Sequence, residues 1–152
     1  MVNKKPKTGP LEEFTQRPVF HLTVPASDLA AMRVFYVETL GSKIERESAD
    51  FLEFTFFGGI LIAARVHVSP ANSTVVPGAG GLPLPNFGLI MSWEDWHRAV
   101  DHLNYVGVTY RVSPVVHTAG DGREEALFAI ADPSGNCLAF RARKAERRDL
   151  GE

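Results

Sequence analysis

Phe20-His21-Leu22-Thr23-Val24-Pro25, then Ser27-Asp28 and an amphipathic run to Leu40 and Gly41, reads as a short strand, a capped helix and a glycine stop. Asn86-Phe87-Gly88-Leu89-Ile90-Met91, then Ser92 through Val106 and Gly107, repeats the phrase. In the first copy Leu29, Met32, Val34, Phe35, Tyr36 and Leu40 recur at helical spacing behind the Ser27-Asp28 cap, which predicts a helix lying on a sheet. In the second, Ser92 and Asp95 resemble a capping box, Trp93, Trp96, Val100, Leu103 and Val106 form the stripe, and Gly107 closes it.

Strand-like runs follow each helix. Phe51 to Phe57 and Ile60 to Val66 are rich in aromatic and branched residues, and Gly58-Gly59 between them predicts a two-residue hairpin turn. In the second half, Val108 to Val112, Ala126 to Ala131 and Asn136 to Ala142 are expected strands, with Asp132-Pro133-Ser134-Gly135 turning the last pair. The order is β-α-β-β-β twice, so the fold class is α+β, with two βαβββ modules paired in one chain. Module boundaries are placed at 17–68 and 86–143, joined by a linker over 69–85 that carries Pro70, Pro77, Pro83, Pro85, Gly78, Gly80 and Gly81. A flexible tail is expected over 1–16 and a charged one over 144–152. The connection from Ser113 to Glu125 is longer than a hairpin needs, and its closing over a site is left open.

Composition removes several functional classes. At 152 residues and 45% hydrophobic, the chain can bury about 70% of its unfolded surface as one domain and needs no cross-links. Sixteen basic against eighteen acidic residues leave a formal charge of −2, without the basic excess of a nucleic-acid surface. No apolar run approaches a membrane span, and the N-terminal residues lack the apolar core of a signal. The lone Cys137 lies in an apolar strand and reads as a small buried hydrophobe in a reducing compartment, so the expected location is cytoplasmic.

Strand parity sorts the side chains. Phe20, Leu22 and Val24 face a helix and leave His21 and Thr23 opposite; Leu52, Phe54 and Phe56 oppose Glu53 and Thr55. Likewise Phe87, Leu89 and Met91 oppose Asn86, Gly88 and Ile90, while Leu138 and Phe140 oppose Cys137, Ala139 and Arg141. If two curved sheets join edge to edge, the second set lines one concavity.

These modules, with the Phe20-His21-Leu22-Thr23-Val24-Pro25-x-x-Asp28-Leu29 opening, Phe35-Tyr36 on the helix and the Asp132-Pro133-Ser134-Gly135-Asn136 turn, resemble the vicinal oxygen chelate superfamily. That group contains glyoxalase I, extradiol dioxygenases and bleomycin-resistance proteins. The resemblance covers roughly Arg17 to Arg143 and implies curved mixed sheets forming a cup with helices outside. It also implies metal ligands on the first and last strands of each module. Carried over position by position, His21 fits; Ile62 or Ala64 holds the second place, Asn86 the third and Ala139 the fourth. Fe, Mn, Zn or Ni needs three or four imidazole or carboxylate donors, so the resemblance implies a degenerate metal site and no tightly held cofactor.

Other side chains can be weighed as replacements. Glu53 shares the parity of His21, and His117, Glu124 or Glu125 could enter from the long connection, which would rebuild a site for a divalent metal. His67 ends a strand, and His97 and His102 stand five apart on the second helix and so face different ways. A lone histidine such as His21 is ordinarily hydrogen-bonded to a neighbour, here Thr55 or Asn86, rather than catalytic. Nothing near Cys137 in sequence lowers its thiol pKa toward a nucleophile.

Three readings follow. The first is a glyoxalase-like or bleomycin resistance-like protein that binds a small apolar or aromatic molecule in the cup, with Phe56, Ile62 and Ile90 at its margins and His21, Glu53, Thr55, Asn86 and Arg141 as polar anchors. The second is a metal-dependent lyase or extradiol-type dioxygenase with a rebuilt ligand set around His21, the candidate catalytic residue. The third is a non-catalytic scaffold whose exposed sheet edge or helix face forms a homodimer.

Overall fold

The computed structural model describes residues 19–67, 74–75 and 82–144. The tail over 1–16, most of the linker, and all of 144–152 except Lys144 lie outside the described residues.

The first module forms a four-stranded sheet from β1 (His21–Ala26), β2 (Lys43–Glu47), β3 (Phe51–Phe56) and β4 (Gly59–Arg65), in the order β1-β4-β3-β2. The second repeats it with β7 (Asn86–Met91), β8 (Tyr110–Thr118), β9 (Glu124–Ala131) and β10 (Cys137–Arg143), in the order β7-β10-β9-β8. Within each sheet the first strand runs parallel to the last, and the other neighbours are antiparallel. The α+β architecture of two paired βαβββ modules expected from the repeat is therefore the one observed. A two-stranded ribbon, β5 (Thr74–Val75) with β6 (Pro83–Leu84), is hydrogen-bonded as a sheet of its own. Among the described residues no helix is long and apolar enough to cross a membrane.

Both helices begin as their caps require. Asp28 accepts a hydrogen bond from the Ala31 N–H at 3.1 Å, and α1 (Leu29–Arg33) runs directly into a π-helical stretch over Val34–Thr39. There the Leu40 N–H reaches back five residues to the Phe35 carbonyl. Helix α2 (Trp93–Val106) is capped by Ser92, which accepts from Asp95 N–H, and ends on Gly107 in the left-handed conformation.

The apolar faces merge. Met32, Tyr36, Leu52, Phe54, Leu61 and Ala63 of the first module share one buried cluster with Trp96, Leu103, Phe128, Ile130, Leu138 and Phe140 of the second. Phe128 and Phe140 stack 4.8 Å apart, and the Trp96 indole N–H donates to the Phe140 carbonyl at 2.9 Å.

Three boundaries differ from the sequence reading, each for a physical reason. The hairpin turn is Phe57-Gly58 rather than Gly58-Gly59: Phe57 has φ 45° and Gly58 φ 82°, while Gly59 is already paired in β4. A side chain at Gly59 would meet the Phe20 carbonyl oxygen at 2.9 Å, so that glycine serves close packing rather than the turn. Strand β2 was not located in the sequence because Lys43–Glu47 is an outer strand whose side chains are mostly exposed, which leaves no apolar alternation to read. The long connection Ser113 to Glu125 is mostly strand. Val115, Val116 and Thr118 extend β8 through a register shift that accommodates Pro114, and only 119–123 remain as the turn before β9.

Candidate functional site at the seam between the modules

The turn after β9 clasps the modules together. Asp132 is buried, and its Oδ1 accepts the backbone N–H groups of Ser134 and Asn136, each at 2.9 Å. Its Oδ2 accepts the Tyr36 hydroxyl and the Asn136 side-chain amide, each at 2.8 Å. Asn136 also donates to the Pro25 carbonyl at 2.9 Å, and the Ser27 N–H donates to Ser134 Oγ at 3.0 Å. The Asp-Pro-Ser-Gly-Asn turn thus holds the end of β1 and the first helix from the opposite module. Burial raises the Asp132 carboxyl pKa despite four donors, and burial first, then the Asp132 charge, lifts the Tyr36 phenol far above its ordinary range. The tyrosine stays a donor at any working pH.

Away from the helices, the two sheet faces are unlike. On the first sheet His21, Ile60 and Thr55 lie abreast, with Thr23, Ile62 and Glu53 in the next row. His21 is exposed. Glu53 accepts from Arg46 at 2.8 Å, and the Thr55 hydroxyl donates to the Lys43 carbonyl at 3.2 Å. At ordinary strand spacing His21 and Glu53 have Cα atoms about 12 Å apart, so they are not in contact. The partner beside His21 on β4 is Ile60, an alkyl side chain like Ile62 and Ala64 further along.

On the second sheet the chain covers the corresponding face with its own linker. Leu82, fully buried, packs on Leu127, Ala129, Cys137 and Ala139, with Val112 at the margin. Asn86 turns toward the same segment and donates to the Pro83 carbonyl at 3.1 Å. Half of the concavity anticipated from strand parity is therefore filled. Burial raises the Cys137 thiol pKa, partly countered by Arg111, which leaves it protonated and unreactive. Arg141 stands beside Ile90 and Leu127 in the next row, facing a small cavity of about 140 Å³ that it shares with His117 and Glu125. His117 and Arg143 both pair with Glu125, at 3.4 and 2.9 Å, and Glu124 pairs with Lys144 at 3.0 Å. These carboxylates are committed at the far end of the second sheet. His97 donates from Nδ1 to the Trp93 carbonyl at 2.8 Å and packs against Trp96, while His67 is exposed past the end of β4.

The open space lies instead where the modules meet. A cavity of about 500 Å³ is lined by Phe20, Leu22, Phe56, Phe57, Leu61, Phe87 and Leu89, together with the backbone of Gly58, Gly59 and Gly88. Phe56 sits edge-on to Phe87 at 5.8 Å, and to Phe57 at 5.0 Å. A second, more open cleft of about 820 Å³ runs between the end of the first helix and α2; Phe57 and Leu89 belong to both. Of the residues anticipated as anchors, His21, Glu53 and Thr55 share one face of the first sheet, Asn86 and Arg141 sit on the second, and none lines the seam cavity. Phe57 and Leu82 were missed as site residues. The usable signals were a bulky residue directly before Gly58 in a tight hairpin, and bulky leucines inside a glycine and proline run.

Comparison with known proteins places this geometry. The sequence pattern of the Glyoxalase/Bleomycin resistance protein/Dioxygenase superfamily matches residues 19–140. No curated protein matches the chain. Among solved structures, a glyoxalase/bleomycin resistance protein/dioxygenase from Alicyclobacillus acidocaldarius is 26% identical, with a TM-score of 0.72 over 86% of this chain and 94% of that one. A glyoxalase/dioxygenase from Nostoc punctiforme shares the fold at 20% identity and a TM-score of 0.61, over 95% of this chain and 100% of that one. A lactoylglutathione lyase from Agrobacterium tumefaciens does so at 14% identity and a TM-score of 0.57, over 85% and 96%.

Proposed function

Since this chain belongs to the Glyoxalase/Bleomycin resistance protein/Dioxygenase superfamily, we propose that it binds a small organic molecule at the seam of its two modules, without a tightly held metal. The observation that carries this reading is the cavity of about 500 Å³ walled by aromatic and aliphatic side chains from both modules, a volume and lining that suit a small ligand. The residues at the expected ligand positions do not fit a divalent ion. His21 faces Ile60, Asn86 is engaged by Pro83, and Ala139 lies beneath Leu82, so one imidazole stands where three or four charged or imidazole donors are needed. Affinity then rests on shape and burial of apolar area. The carboxylates weighed as replacements are tied up elsewhere: Glu53 with Arg46, Glu125 with His117 and Arg143, and Glu124 with Lys144.

The test is a thermal-shift and calorimetric screen of purified protein against small organic molecules of differing charge and aromaticity, combined with elemental analysis. The expected result is saturable stabilisation by at least one class and well under one equivalent of transition metal. A stoichiometric metal whose removal by chelator abolishes binding would overturn the reading.

A further inference from the structure

The turn at the mouth of the seam cavity holds the wrong residue for its backbone. Two-residue hairpin turns with both central residues left-handed favour asparagine or glycine first and glycine second. Here the first position is Phe57 at φ 45°, followed by Gly58 at φ 82°. A side chain in that region crowds its own carbonyl, and asparagine tolerates it far better than phenylalanine. The ring gains little burial in exchange, since Phe57 remains 58% exposed. It packs edge-on against Phe56, which in turn meets Phe87 across the seam, and it belongs to the walls of both clefts.

Among the described residues that line the seam cavity no side chain carries a charge, and four are phenylalanines, with Phe20 also 75% exposed at the entrance. A charged ligand group would lose its hydration there without a partner, whereas a flat π-system gains faces and edges to pack against. The geometry points to Phe57 as the specificity-determining wall of the site, and to a neutral, planar aromatic molecule as its ligand. This assignment rests on the binding function proposed above and narrows it.

A matched pair of probes tests it. N-phenyl-1-naphthylamine is neutral and aromatic; 8-anilinonaphthalene-1-sulfonate has the same rings and adds a sulfonate. Fluorescence titration of the wild-type protein is expected to give single-site binding of the neutral probe, with the sulfonate at least roughly tenfold weaker. Phe57→Asn should weaken the neutral probe by roughly tenfold while thermal stability is held or raised, because the turn then carries a residue suited to its φ. Tyr105→Ser, which removes a 91% exposed ring outside both clefts, should change nothing.

Binding of the neutral probe by Phe57→Asn within twofold of wild type would overturn the assignment. So would equal affinity for the two probes, or a loss of binding in Phe57→Asn that comes with a marked fall in melting temperature, which would make the ring a structural part of the hairpin. No binding of the neutral probe by the wild type overturns the ligand class alone; the broader proposal falls only if the screen of other small molecules is also empty.

Discussion

Replacing Leu82 by alanine asks whether the segment between the modules is a tether or a structural part of the second one. A leucine in a solvated glycine and proline run would be replaced at a cost within about 0.5 kcal/mol, as at other surface positions. Leu82 is instead 0% exposed and packs on Leu127, Ala129, Cys137 and Ala139. Its burial alone is worth about 1.5–3 kcal/mol, and the space left beneath it adds a cavity term, because Ala129 and Ala139 are too small to close it. The expected loss is about 2–4 kcal/mol, which for a chain of this size lowers the melting temperature by roughly 5–15 °C. Urea titration followed by tryptophan fluorescence reads it directly, since Trp96 belongs to the core on the other side of the same sheet. A midpoint unchanged with an unchanged slope would refute the reasoning, and with it the description of the concave face as filled.

Installing the missing donors with Asn86→His and Ala139→Glu together should destabilise the protein by about 3 kcal/mol or more and add no metal affinity by calorimetry, because the carboxylate is forced under Leu82. Gly88→Ala should disrupt the pairing of β7 with β10, since the added carbon would overlap the backbone of Ala139; soluble yield and circular dichroism will show it. Tyr36→Phe removes one donor from the buried Asp132 carboxyl and should cost about 1–3 kcal/mol in denaturant titration. Asp132 has a raised pKa when folded, so its contribution is largest below the unfolded value and declines as pH rises through the folded one. The stability gap between wild type and Asp132→Asn should therefore widen as pH is lowered from neutral toward 4, and a gap independent of pH would contradict the burial argument.

The fold was legible because its signals are local and mutually consistent. The caps at Asp28 and Ser92, the stop at Gly107 and the alternation in Phe51–Phe56 are each decided within a few residues, and the repeat doubles the information. Strand β2 was not, because an edge strand such as Lys43–Glu47 packs too little to shape its sequence. The site was less legible still. Parity correctly assigns Ala139 and Cys137 to one face, but whether that face is empty depends on Leu82, and nothing local to a glycine-rich segment tells which sheet it will cover. The role of Phe57 depends on a one-residue shift of the hairpin, which Gly58-Gly59 obscures by offering two glycines where the turn uses one.

The clasp has a consequence for how the chain comes together. Tyr36 and Asp132 are 96 residues apart in sequence, and Phe54 and Phe128 sit in one continuous apolar cluster. Although the architecture is a repeat, its two copies share one apolar cluster and one buried clasp, in contrast to solenoids whose units contact only their neighbours in sequence. Denaturation should be a single cooperative event seen identically by every probe, and assembly should be slow, waiting on contacts between the distant ends of the chain.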